Sequence, residues 1–147
     1  MDKKDFISKI ENLILEINKK GFNVKGCSEH KIDCVENKYG KLPDFYKCFM
    51  LLMGEDPGDF KKGTDISIEE LDDINECVDE LMEDNNVKKP DGIFSFLLHQ
   101  GYSALFFVDR NDDPIVYRYT EGECIEKVAD AFSEYITSEI SMYDNFQ

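Results

Sequence analysis

The period of the apolar residues changes once along this chain, and that change limits the folds open to it. Up to Met82 they recur every three or four residues, as one face of a helix requires. From Ile93 they crowd into short β-rich runs, IFSFLL, SALFFVD and PIVYRY, divided by HQGY and the turn-forming RNDD. The segment IEKVADAFSEYITSEI then returns to helical spacing through Val128, Phe132, Tyr135, Ile136 and Ile140. Helices first, closely connected strands next and a helix last describe an α+β chain with an antiparallel meander, not alternating βαβ units.

Within the first half, Phe6, Ile10, Leu13, Ile14 and Ile17 define one helix face, with Lys19, Lys20 and the stop residue Gly21 at its end. Ser28 is placed to cap a second helix with Ile32, Val35 and Tyr39 inward, ending at Gly40. Pro43 suits the first turn of a third, where its missing N–H has no partner to lose. Phe45, Phe49 and Leu52 face one side of it, Tyr46 and Met50 or Met53 widen that side, and Gly54 stops the run. Ser67 and Glu70 form a capping box opening a fourth helix, whose stripe is Ile68, Leu71, Ile74, Val78, Leu81 and Met82. A short extended piece at residues 65–67 competes for its beginning.

A chain of 147 residues, 41% hydrophobic, matches one domain spanning 1–147. Seventeen Lys and Arg against thirty-two Asp and Glu give a net charge of -15, which repels phosphate backbones and anionic membranes and attracts basic partners. Nucleic acid and lipid are therefore poor ligands. Five cysteines, an odd number, and an N-terminal stretch with charges inside its apolar run fit free thiols in a reducing cytoplasm. No apolar run approaches the roughly 18 residues of a membrane-spanning helix.

The most polarised stretch runs from Gly63 to Val87, with ten acidic residues and no Lys or Arg. Removing its -10 from -15 leaves the rest of the chain at -5. Carboxylates at i, i+4 spacing weaken a helix by about a few tenths of a kcal/mol per pair. A merely soluble helix would mix in lysines, so a solvated face and a docking surface for a basic protein both stand as readings.

Enzyme and metal motifs fail on their chemistry. GDFKKGT lacks the Lys that a phosphate loop needs after its second Gly, and DRNDDPIVYRYT puts Pro114 and Thr120 where a calcium loop needs Gly and a bidentate Glu. Cys27, His30 and Cys34 have zinc-ligand chemistry but no fourth ligand or CxxC pair, so they read as ordinary thiols and a surface imidazole. His99, before Gly101, reads as a turn-fixing residue. GxSxG, HExxH and GxGxxG do not occur, and no catalytic residue, metal or cofactor is expected.

The run IDCVENKYGKLPDFYKCFMLLMG resembles the helical signature of the SUKH superfamily, through Val35, Glu36, Gly40, Leu42, Pro43, Tyr46, Phe49 and Gly54. FLLHQGYSALFF, DDPIVYRYTEGE and VADAFSEYI resemble a bacterial branch of it, extending the likeness to Ile136. The resemblance implies an α+β domain with a twisted, mostly antiparallel sheet flanked by helices, and no enzymatic activity. For bacterial members it implies an immunity protein that neutralises a cognate polymorphic toxin; for eukaryotic relatives it implies an adaptor or regulator of cell-envelope or signalling proteins. On the first reading the chain is a cytoplasmic monomer that masks a basic toxin domain such as a nuclease. Asp72, Asp73, Glu76, Asp79 and Glu80 then supply the electrostatic face, and Tyr102, Tyr117 and Tyr119 are the candidate exposed aromatic anchors.

Overall fold

Helix starts lie where the sequence supplies caps. In the computed structural model, which describes residues 1–145, helix α1 (Lys3–Lys19) begins with the Lys4 N–H donating to the Asp2 carboxylate at 3.2 Å. It buries Phe6, Ile10, Leu13 and Ile17. Ser28 caps α2 (Glu29–Tyr39) by accepting from the Lys31 N–H at 3.2 Å. Helix α3 (Asp44–Met53) places Pro43 at the cap itself, one position before the expected first turn, because its ψ of 144° is extended. Both halves of the Ser67–Glu70 capping box are made, and a single 3-10 turn (Ile68–Glu70) leads into α4 (Leu71–Asp84).

Five strands, β1 (Thr64–Asp65), β2 (Phe94–His99), β3 (Ser103–Phe107), β4 (Val116–Thr120) and β5 (Glu126–Ala129), pair in sequence order, each antiparallel to the next. Strand β5 corrects the expectation of a helix through Val128. Val128 fits a helical spacing, but residues 126–129 pair with β4, and Arg118 bonds Glu126 across the two strands. The last helix, α5 (Phe132–Asn145), starts only where a cap is available. That cap comes from another segment: Asp113 accepts from the Ser133 N–H at 2.8 Å and its hydroxyl at 2.5 Å.

Tyr46 of α3 is fully buried, its ring centroid 5.5–6.0 Å from those of Phe94, Phe96, Phe107 and Phe132. Helix, sheet and C-terminal helix thus meet at one side chain, and each aromatic pair adds about 0.5–1.5 kcal/mol beyond burial. Phe6 extends the cluster to α1, 5.1 Å from Phe45 and 6.4 Å from Phe132. The buried hydrophobic residues, from Phe6 to Ile140, form one core.

The corner between α2 and α3 has a specific lock. Gly40 takes φ 91° and ψ 178°, a conformation open in practice only to glycine. Glu36 then reaches past it to accept from the Leu42 N–H at 2.8 Å. From the far side Arg110 donates to the carbonyls of Tyr39 (3.1 Å), Lys41 (2.8 Å) and Gly92 (3.1 Å). Its guanidinium lies over the rings of Phe94 and Phe107.

Candidate functional site

Helix α4 buries Leu71, Ile74, Val78, Leu81 and Met82, and this leaves Asp72, Asp73, Glu76, Asp79 and Glu80 exposed on its remaining faces. The five are not equivalent. Asp72 accepts from Lys38 at 2.9 Å and from the Tyr39 hydroxyl at 2.5 Å, and those two hydrogen bonds hold its carboxyl below the usual range. Asp79 pairs with Lys89 at 3.2 Å. Among the described residues no ion pair reaches Asp73, Glu76 or Glu80, which fall at i, i+3 and i+7 and so form one continuous stripe. The two paired carboxylates fasten α4 to its neighbours, while the stripe carries unbalanced charge outward.

A half-buried amide on the same helix completes the sheet. Strand β1 covers only the His99 and Leu98 end of β2, so the backbone of Ser95 has no strand beyond it on that side. Asn75 takes its place: its Nδ2 donates to the Ser95 carbonyl at 3.0 Å, and its Oδ1 accepts from the Ser95 N–H at 2.9 Å. Helix α4 is thereby fixed to an edge that would otherwise present open hydrogen-bonding groups.

The three tyrosines separate. Tyr102 is 41% exposed at the β2–β3 turn and meets His99 edge-to-face at 5.5 Å. Tyr117 is half-buried, stacked on Phe106 at 5.7 Å. Tyr119 is 0% exposed, which corrects its expected place among the exposed anchors. It sits opposite the equally buried Ala104, on the face of β4 away from Arg118 and Thr120, and no partner can reach it without unfolding the sheet.

Arg118 and Thr120 instead line a groove of about 510 Å³ between the sheet and α5. His99 and Tyr102 border it, Tyr135 and Glu139 of α5 close it, and α4 contributes nothing to it. The HQGY segment therefore both turns the chain and shapes a cleft, whereas Asp113 of DDPIVYRY is a helix cap. Sequence reasoning missed Glu123, Glu134 and Tyr135 as groove residues, since only the register of the five strands against α5 brings them together.

Cys27, His30 and Cys34 do not converge. His30 and Cys34 are exposed and 3.8 Å apart, but Cys27 is buried, and burial, followed by the Glu55 charge, pushes its thiol up to about 11. Among the described residues no three His, Cys, Asp or Glu side chains are grouped to hold a metal ion, and no helix is long and apolar enough to cross a membrane.

A five-stranded antiparallel meander wrapped by helices, with a locked Gly-Lys-Leu-Pro corner, defines an α+β class of protein. The chain belongs to the SMI1 / KNR4 family (SUKH-1), whose model matches residues 26–138. The match runs from just before α2 into α5 and includes the corner and every groove residue except Glu139. No curated protein matches it.

Proposed function

We propose that this protein is a cytoplasmic, monomeric immunity protein that binds and neutralises a cognate toxin domain, a basic nuclease or similar enzyme. The observation that carries the reading is the stripe of Asp73, Glu76 and Glu80, exposed and without ion pairs among the described residues, in a family consistent with that role. A nuclease needs a basic surface to hold phosphates, and a protein of charge -15 is steered toward that surface. Asp72 and Asp79 add to the field although each already holds a lysine. Tyr102 offers an exposed aromatic anchor, and Tyr117 a half-buried one. Inhibition is by occlusion and requires no reaction.

Co-expression with the toxin encoded beside this gene tests the reading: rescue of growth and a stable complex are expected, and absence of both overturns it. Asp73→Lys, Glu76→Lys and Glu80→Lys together should slow association by about tenfold or more at low salt with little change in unfolding midpoint. An unchanged rate removes the steering mechanism. The adaptor reading draws on the same family, and the internal use of Asp72 and Asp79 favours it; a complex with an envelope or signalling protein, with no rescue from any toxin, would establish it instead.

A further inference from the structure

We propose that the outer edge of β5 is a docking edge for one short extended segment of a basic protein partner, which pairs with it as a further strand of the sheet. This deepens the partner reading above and rests on it for the source of that segment. Strand β5 ends the sheet, and among the described residues the backbone of 126–129 makes no hydrogen bond beyond the β4 ladder. Alternate residues of such a strand aim their N–H and C=O groups outward, where another chain can continue the ladder. Glu126 and Lys127 are both exposed, so no other element covers the strand there.

The two edges of the sheet are not built alike. On the far side β1 is cut to two residues, and Asn75 of α4 closes the Ser95 backbone beyond it. Strand β5 has no such closure. A lysine commonly guards an open edge, but Lys127 is held by Asp130 at 2.6 Å and also feels the Glu134 charge. Val128 is the extra residue of a bulge between the Val116 and Tyr117 registers, so the edge admits a short segment and not a long strand.

Charge selects the occupant. Residues 121–134 hold five acidic residues and one lysine. Glu126 is engaged with Arg118, while Glu121 and Glu123 are exposed and have no ion pair among the described residues. A second copy of this chain brings the same acidic segment, so pairing β5 with β5 sets like charges against each other. A segment carrying lysine or arginine instead meets opposite charge on both flanks of the edge. Its main-chain bonds supply affinity, and the charges choose the partner. Helix α4 is fixed to β2 and β5 ends the sheet on the other side, so the acidic stripe and this edge can be tested apart.

The test is an NMR titration of isotope-labelled full-length protein with three capped peptides: alternating Lys-Val, the same peptide with proline for valine, and alternating Glu-Val. The first should shift the amides from Cys124 to Asp130 saturably and slow hydrogen exchange at alternate residues of β5 by about tenfold or more. The proline peptide keeps the charge but cannot form the ladder, and the Glu-Val peptide keeps the strand but reverses the charge; neither should produce these effects. Glu121→Gln with Glu123→Gln should weaken binding of the Lys-Val peptide by about fivefold. Both residues are exposed, so an otherwise unchanged spectrum confirms the fold. Equal response to the proline or the Glu-Val peptide, unslowed exchange in β5, no effect of the double variant, or shifts confined to Asp73, Glu76 and Glu80 would each overturn the proposal. A toxin complex that leaves exchange in β5 unchanged overturns the edge alone and leaves the immunity reading intact. Peptide pairing without any toxin complex supports the edge and removes the toxin as its source.

Discussion

Tyr46 lies within the stretch that matches the family, but only its ring is in use. The ring is fully buried against four phenylalanines, while its hydroxyl has no hydrogen-bond partner among the described residues. Tyr46→Phe is therefore expected to leave the urea midpoint unchanged or raise it, within about 1 kcal/mol, whereas Tyr46→Ala should cost about 3–5 kcal/mol. A loss above about 2 kcal/mol for the phenylalanine variant would show that a buried water engages the hydroxyl. Tyr46 was legible as part of an inward helix face because helical spacing is local. Tyr119 was not, since strand alternation separates two faces without saying which one another element will cover. Its burial opposite Ala104 is decided by packing remote in sequence.

Helix α4 does two jobs at the level of the element, and Asn75 separates them. Asn75→Ala removes both bonds to Ser95 and bares part of the β2 edge. The expected cost is about 1–3 kcal/mol by urea unfolding, together with concentration-dependent self-association by light scattering. A change under about 0.5 kcal/mol with no association would mean that solvent satisfies the edge as well as the amide does. The capping boundaries of α1, α2 and α4 could be read from sequence because cap and helix are adjacent. The start of α5 could not, because its cap, Asp113, lies 20 residues before Ser133. With no local stop to find, helical spacing ran on through Val128 into what is strand β5.

For the whole molecule the charge of -15 was plain from the residues, but its division into paired and unpaired groups was not. Lys38 and Asp72 meet across 34 residues. That division sets the acid response. Asp65 is raised by its hydrogen bond with Glu70, then by burial and the Glu70 and Asp73 charges; Glu16 is raised chiefly by its hydrogen bond with Asp144. Both disfavour the folded state when ionised, so folding gains as the pH falls toward their folded pKa values. Glu70 and Asp72 act in the opposite sense. Burial opposes ionisation of Glu70, but hydrogen bonds from Ser67, Asp65 and Ile66 outweigh it, and Tyr39 and Lys38 lower Asp72. Their contribution is present above unfolded values near about 4 and is lost as the pH drops through their lower folded ones. The urea midpoint should rise from pH 7 to about 5 and fall steeply below about 4. A steady decline from pH 7 to 5 would contradict this balance.

Arg110 gives the signature corner a history as well as a shape. Its hydrogen bond to the Tyr39 carbonyl spans 71 residues, and the one to Lys41 spans 69. At roughly 5–20 residues per second, a growing chain carries the Gly-Lys-Leu-Pro corner for about 4–14 s before the guanidinium that locks it has been made. Phe45 waits equally long, because its N–H donates to the Asp112 carbonyl. The corner between α2 and α3 is synthesised early and fastened late, after β3 has emerged and brought Arg110 back to it.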